Sequence, residues 1–238
     1  KNKELIFGIF LLPSVIFWGS GVIKEGLLFF GIGILIYYFI KLVERFNLFA
    51  VFWILCSCAL IYFTKFYVFA IAVPLLISYY WVSKTADKFA FIKYCIVIIV
   101  YLFAGLQLKH LFPGFDALDI LVTKQRDFIG LAKFMNSGSL IDIPLLTNNI
   151  WSFILNSPIA FFNTLFRPFI FEADSILILM AACENLIMLV TIILSLIFFS
   201  TKGIDKNIFF ACIFSVGFMF VLTGLITPVM GAMVRYKV

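Results

Sequence analysis

Seven apolar runs separated by short polar segments constrain the fold of this chain more than any other feature. They cover residues 5–18, 27–40, 48–63, 66–82, 89–108, 175–199 and 208–227. A helix of about 17–25 apolar residues crosses the hydrocarbon core of a bilayer with its backbone polar groups satisfied. The first two runs are short, so we expect them to be re-entrant or lengthened by polar end residues. The pattern predicts an all-α, polytopic membrane helical bundle of about seven spans.

The composition favours a membrane protein over a soluble or nucleic-acid-binding one. Hydrophobic residues make up 64% of the 238-residue chain, whereas a soluble domain is about 45–50% apolar. Although the net charge is +6, the 18 Lys and Arg stand singly or in pairs at the ends of the apolar runs. That distribution is typical of membrane topology. We therefore expect membrane lipid, and no nucleic acid, among the partners.

The basic residues also predict which helix ends share a membrane face. If the N-terminus is cytoplasmic, alternation places three basic pairs on that face: Lys41 with Arg45, Lys84 with Lys88, and Lys202 with Lys206. Short loops rich in Lys and Arg are typical of the cytoplasmic side. The opposite face receives the turn 18–26, the turn at Lys65, the segment 109–174 and the C-terminal tail. Because the non-hydrophobic sequence gathers there, we expect function on that outer face.

This arrangement divides the chain into three parts. Residues 1–108 form a five-span bundle, residues 109–174 an extracytoplasmic loop with an interfacial helix, and residues 175–238 a two-span segment with an outer tail. The interfacial helix is predicted within residues 151–171, with its start at Asn156-Ser157-Pro158. Since the chain lacks an initial methionine and ends just after an apolar stretch, we expect it to be part of a longer protein.

The first outer turn is a candidate anion site. Trp18 marks the interface, Gly19-Ser20-Gly21 permits a sharp reversal, and Lys24 and Glu25 follow. Free amides at a helix N-terminus beside Lys24 suit a phosphate or a diphosphate. The alternative is a capped hairpin turn in which Lys24 and Glu25 are solvated among the lipid headgroups.

A second candidate lies at the end of the predicted interfacial helix. Arg167 precedes Pro168 there and is followed by Glu172 and Asp174. A guanidinium clamps a phosphate bidentately, and either carboxylate would serve as a base. Alternatively, Arg167 snorkels to lipid headgroups or pairs with Glu172.

Three further charged residues complete the candidate set. Glu184 lies inside the sixth run, where a charge faces a polar cavity or a partner, or where a protonated carboxyl fixes helix packing. Arg126 is a candidate for binding a polar substrate or a solvated surface charge. Arg235, with Lys237, completes the outer site or flanks the last span. His110 is the only histidine, so we expect no multi-histidine metal site.

The chain resembles bacterial proteins of envelope-polysaccharide synthesis in three stretches, PSVIFWGSGVIKEG, FRPFIFEADSILILMAACENL and TPVMGAMVRYKV. The similarity is to polytopic oligosaccharide repeat-unit polymerases of the O-antigen type and lipid-linked glycosyltransferases, especially those of Bacteroidetes-like bacteria. It implies an inner-membrane enzyme that transfers sugar at the extracytoplasmic face from a polyprenyl-diphosphate-linked glycan, without ATP, nucleotide sugar or another cofactor. The chain lacks the paired acidic motif that many such transferases carry in the first outer loop.

The same resemblance implies roles for the candidate residues. Lys24, Arg167 and Arg235 would neutralise the diphosphate leaving group, and Glu25 or Glu172 would activate an acceptor hydroxyl. One alternative is a transporter or flippase in which Glu184 and the first hairpin form a midplane site. Another is a non-catalytic membrane subunit of a larger complex.

Overall fold

Helices dominate the computed structural model, which describes residues 12–20, 24–85, 87–112, 114–135, 137–199 and 203–237. We number the α-helices α1 Pro13–Ser20, α2 Lys24–Glu44, α3 Leu48–Thr64, α4 Phe66–Lys84, α5 Ala90–Leu111, α6 Ala117–Phe134, α7 Ile150–Phe166, α8 Ile176–Ile197, α9 Lys206–Ile226 and α10 Met230–Lys237. The 3-10 turns Asp87–Phe89 and Ile170–Glu172 precede α5 and α8. Within these described ranges there is no strand, in agreement with the predicted all-α class.

Five described segments are long and apolar enough to cross a membrane: Lys24–Glu44, Phe66–Lys84, Asp87–Leu111, Ile176–Ile197 and Lys206–Ile226. Two further apolar helices, α3 and α7, are shorter. These helices are those of a multi-pass membrane protein. The total of seven spans stays a prediction, and residues 5–11, half of the first predicted run, lie outside the described residues.

Polar end residues lengthen the second predicted run, as expected. The run 27–40 becomes the 21-residue helix α2, which takes in Lys24, Glu25 and Lys41. At about 1.5 Å per residue its length is about 32 Å, which matches a hydrocarbon core about 30 Å thick. The short apolar run is therefore sufficient for a span.

The chain divides into two compact units. Among the described residues, the first comprises those within 15–101 and 203–216, and the second comprises those within 12–14, 102–199 and 217–237. Each unit contains its own buried polar contacts. The sequence-based division at residues 108 and 174 stays a prediction.

Polar contacts gather several helix ends at one end of the first unit. Lys84 Nζ donates a hydrogen bond to the carbonyl oxygen of Val43 at 2.7 Å. Lys206 Nζ lies 3.9 Å from a carboxylate oxygen of Asp87. These contacts confirm, for the described residues, that the basic segments around residues 41–45, 84–88 and 206 share one side. Lys202 lies outside the described residues.

Asn207 anchors the start of α9 within the first unit. Its Nδ2 donates to the carbonyl oxygen of Tyr79 at 3.0 Å and to Ser83 Oγ at 2.8 Å. Its Oδ1 accepts a hydrogen bond from the Tyr94 hydroxyl at 2.8 Å, and the Tyr94 ring stacks on Phe214 with centroids 5.5 Å apart. This amide joins α4, α5 and α9 with its hydrogen bonds satisfied, as burial among apolar helices requires.

Gln125 joins elements of the second unit, as Asn207 does in the first. Its side chain is buried, with 1% of the residue exposed. Its Nε2 donates to the carbonyl oxygens of Pro144 at 3.0 Å and Leu225 at 2.7 Å. Its Oε1 accepts from the backbone N–H of Leu146 at 2.8 Å. One side chain of α6 therefore fixes both the extended segment that follows α6 and the end of α9.

The extended segment also pairs with the chain that follows α9. The backbone N–H of Ile141 donates to the carbonyl oxygen of Pro228 at 2.6 Å, and that of Met230 donates to Ser139 at 3.0 Å. These bonds confirm that the segment 109–174 and the C-terminal tail lie together, as the topology predicts.

The predicted interfacial helix begins earlier than expected. α7 starts at Ile150 with Asn149 as its side-chain cap, so the predicted start at Asn156-Ser157-Pro158 is wrong. Pro158 lies inside the helix instead. Phe153 and Ala160, which flank Pro158, are both buried in one apolar cluster. This packing holds the helix together across the hydrogen bond that Pro158 cannot donate.

Helices α7 and α9 approach each other closely at Gly224. A Cβ atom on Gly224 would lie 2.1 Å from the carbonyl oxygen of Ala160 and 2.7 Å from Thr164 Oγ1. Thr164 Oγ1 donates to the carbonyl oxygens of Ala160 at 3.0 Å and Phe220 at 2.9 Å. Only glycine fits this contact, which fixes the C-terminal half of α7 against α9.

Gly224→Ala should lower the free energy of unfolding by at least about 1–3 kcal/mol, because overpacking forces the two helices apart. Gly217→Ala is the matched control in the same helix, since a Cβ there meets no atom within 4 Å. Alanine at that position should be neutral or stabilise α9 by up to about 1 kcal/mol. Thermal unfolding of the detergent-solubilised variants measures both effects, and equal melting temperatures would contradict the close contact.

Candidate functional site

Glu25 forms a buried ion pair at the first turn of α2. Its carboxylate lies 3.0 Å from Lys65 Nζ, and the two side chains are 3% and 11% exposed. Lys24, by contrast, is exposed. Because Lys65 lies in the turn between α3 and α4, the pair confirms that this turn and the start of α2 share one end. Sequence reasoning assigned no role to Lys65, although a lone cation between two apolar runs signals a need for a partner.

A charge exchange tests what this ion pair does. Glu25→Ala should lower the free energy of unfolding by about 3–5 kcal/mol, because Lys65 then keeps a buried charge without its carboxylate. Exchanging the two residues, as Glu25→Lys with Lys65→Glu, should recover most of the loss in thermal unfolding. If the exchanged protein were as unstable as Glu25→Ala, the ion pair would not be what fastens this turn.

Arg167 has hydrogen-bond donors to spare at the end of α7. It is the C-cap of that helix, and its Nη2 lies 3.5 Å from Glu172 Oε1. Its Nε is buried and has no acceptor among the residues that the structure describes. A buried N–H without an acceptor costs free energy, so the hydrogen bonding of this guanidinium is incomplete within the described residues. The side chain is 27% exposed, which leaves the guanidinium within reach of a ligand.

Glu172 orients Arg167 and shapes the connection between α7 and α8, residues 167–175, which we call the Arg167 turn. Its Oε1 faces Arg167, and its Oε2 accepts a hydrogen bond from the backbone N–H of Phe169 at 3.2 Å. Both carboxylate oxygens are therefore engaged, and in this geometry Glu172 is a positioning residue. Asp174, two residues further on, is exposed.

Lys237 fastens the last helix to the end of α7. Its Nζ donates to the carbonyl oxygens of Leu165 at 3.3 Å and Arg167 at 2.5 Å, and to Asn185 Oδ1 at 2.9 Å. These three bonds use all the donors of the ammonium group. Arg235 lies two residues earlier on the same short helix. These hydrogen bonds of Lys237 hold α10, which contains Arg235, against the end of α7 at Arg167.

Burial lowers the pKa of Lys237 to about 8, from an ordinary value of 10.5. Between those pH values the unfolded chain binds more protons than the folded one, so folding becomes more favourable as the pH rises. The melting temperature of the wild type should therefore rise relative to that of Lys237→Met between about pH 8 and pH 10. Lys133→Met, which removes an exposed lysine, should follow the wild type. A constant difference between wild type and Lys237→Met would contradict the lowered pKa.

Glu184 caps the first described helix. Its carboxylate accepts hydrogen bonds from the backbone N–H of Ser14 at 3.0 Å and from the Ser14 hydroxyl. Ser14 lies in the first turn of α1, where a negative charge is favoured by the exposed amides. The contact links that turn to the middle of α8 and agrees with a function in helix packing.

The predicted site residues fall in different units. Lys24 and Glu25 lie in the first unit, whereas the second contains Arg126, Arg167, Glu172, Glu184 and Arg235. The structure brings Arg167 and Glu172 together and, through Lys237, adds the helix of Arg235. Arg126 is exposed on α6 beside the buried Gln125.

Comparison with protein-family models, curated proteins and solved structures finds no match to this chain. The fold defines the class, a multi-pass helical membrane protein.

Proposed function

We propose that this protein is a membrane-embedded glycan polymerase or glycosyltransferase. It uses polyprenyl-diphosphate-linked sugars at the extracytoplasmic face of a bacterial inner membrane. The observation that carries the proposal is Arg167, a partly exposed guanidinium whose buried Nε has no acceptor within the described part of the chain. An anion with several acceptor oxygens matches that group, and a diphosphate is such an anion.

The transfer reaction needs positive charge at the leaving group. An acceptor hydroxyl attacks the anomeric carbon of the donor sugar while the bond from that carbon to the diphosphate oxygen breaks. The bond's electrons stay on the polyprenyl diphosphate, and the hydroxyl proton passes to a base. Arg167 stabilises the charge that develops on the leaving oxygen. Glu172 and Lys237 hold the guanidinium and its turn in place for that contact.

Asp174 is the carboxylate that best suits the role of base. Glu25 and Glu172 each lie against a cation. Asp174 is exposed, and within the described ranges no ion pair engages it. It lies in the same turn as Arg167, at the start of α8. We therefore assign proton transfer to Asp174 and the positioning of Arg167 to Glu172.

Helix α8 offers a surface for the polyprenyl chain. It begins at Ile176, directly after the turn that contains Arg167 and Asp174, and Ala182 is the one buried residue among its 22. Such an apolar surface contacts lipid chains in a membrane. A headgroup held at Arg167 would leave its tail next to this helix.

Binding of undecaprenyl diphosphate to the detergent-solubilised protein tests the role of Arg167. Arg167→Gln should weaken binding about 10- to 100-fold, because hydrogen bonds to a charged group contribute about 1.5–3 kcal/mol. Lys133→Gln removes an exposed cation of the same unit and should bind as the wild type does. Unchanged binding by Arg167→Gln would show that Arg167 is not the phosphate ligand.

Elongation of a lipid-linked glycan, followed by gel mobility, tests the enzymatic step. Asp174→Asn should bind undecaprenyl diphosphate normally but elongate poorly, because it lacks the base. Glu172→Gln should weaken both binding and elongation, since it releases Arg167. Normal elongation by Asp174→Asn would exclude it as the base. A wild-type protein that binds the lipid diphosphate without elongating glycan would favour the flippase alternative.

A further inference from the structure

A cleft of about 420 Å³ opens in the first unit, at the turn between α2 and α3. It is lined by Lys41, Glu44, Arg45, Phe46 and Asn47. Since Glu25 lies at the start of α2, the cleft is at the opposite end of that helix from the Glu25–Lys65 pair. It contains none of the residues used in the proposed transfer reaction.

The two cations of the cleft, Lys41 and Arg45, form no ion pair with any residue that the structure describes. They are four residues apart, and the backbone N–H of Arg45 donates to the carbonyl oxygen of Lys41 at 2.9 Å, so they lie one helical turn apart. Lys41 Nζ lies 4.4 Å from the centroid of the Tyr37 ring, which holds the ammonium at the side of α2. Within the described ranges no carboxylate oxygen lies within 4.0 Å of either cation. Two neighbouring cations with donors to spare suit an anion with several oxygens.

Large apolar side chains surround the same turn. Phe46, Leu48 and Phe49 are 72%, 75% and 59% exposed. A ligand that contacts both the cations and these side chains needs an anionic end and a hydrocarbon part. This combination favours a lipid over a free anion.

The turn is held in shape by contacts within the chain. Lys84 Nζ donates to the carbonyl oxygen of Val43 at 2.7 Å, which satisfies one of the last carbonyls of α2. Asn47 Oδ1 accepts from the backbone N–H of Phe49 at 2.9 Å and caps α3. Because these bonds do not involve Lys41 or Arg45, the cleft exists before a ligand enters. A preformed site avoids the cost of ordering on binding.

We propose that this cleft binds the phosphate of an anionic phospholipid headgroup. Lys41 and Arg45 contact the phosphate, and the acyl chains lie against Phe46 and Phe49. Basic pockets at the ends of membrane spans select anionic lipids in this way. Glu44 also lines the cleft, where it accepts hydrogen bonds from headgroup hydroxyls and repels a second negative charge. Phosphatidylglycerol has this chemistry, with one phosphate and free hydroxyls.

Native mass spectrometry of the full chain in detergent tests the proposal, with dioleoyl phosphatidylglycerol as the probe and dioleoyl phosphatidylcholine as the neutral comparison. The wild type should retain phosphatidylglycerol preferentially. Arg45→Gln alone should reduce retention about fivefold, and Lys41→Gln with Arg45→Gln about 25-fold, because each cation near an anionic lipid contributes about fivefold. The single variant changes an exposed side chain, and its melting temperature reports whether folding is preserved.

A matched double variant separates a defined site from the general positive charge of this end. Lys88→Gln with Lys206→Gln removes two exposed cations at the same end, and retention should stay within about twofold of the wild type. Equal losses in the two double variants would overturn the proposal, as would equal retention of the two lipids. Inorganic phosphate in an additional arm distinguishes the source of the anion. If phosphate alone displaced phosphatidylglycerol at equal concentration, the ligand would be a free anion and the lipid assignment would be wrong.

Discussion

An apolar solvent leaves a helical chain few ways to fix its helices against one another, because burial of apolar side chains gives little driving force there. Buried polar side chains that are fully hydrogen-bonded therefore carry much of the tertiary structure. Asn207 joins three helices of the first unit through its amide. Gln125 joins α6, the extended segment and the end of α9 in the second. Close contact of backbones at Gly224 is a second means of joining helices.

Lysines that donate to the last carbonyl groups of another helix also hold helices together. The last carbonyl groups of a helix lack intrahelical partners and carry partial negative charge. Lys84 donates to Val43 at the end of α2, and Lys237 donates to Leu165 and Arg167 at the end of α7. Each ammonium thereby stabilises a helix end and ties it to a distant part of the chain. Since Lys237 uses all its donors in this way, it positions the Arg167 turn and would not compete for the anion proposed to bind there.

Polar groups that are satisfied within the chain can be separated from those that are not. The carboxylates of Glu25, Glu172 and Glu184 contact Lys65, Arg167 and Ser14. The guanidinium Nε of Arg167 has no acceptor in the described residues, and neither Lys41 nor Arg45 has a carboxylate partner there. A satisfied group has a structural use already, whereas an unsatisfied one indicates where an outside ligand is stabilised. This distinction supports the two anion sites proposed at the ends of α7 and α2.

The sequence alone determined that the chain is helical and membrane-spanning, because in lipid an apolar run must satisfy its backbone hydrogen bonds within one helix. The spacing of basic residues also indicated which helix ends lie together. Only the tertiary structure decided the partners of Glu25 and Lys237 and the start of α7 at Ile150. These depend on atoms about 3 Å apart that belong to residues far apart in the chain. Apolar periodicity locates helices along the sequence, but it does not specify which polar atoms meet across them.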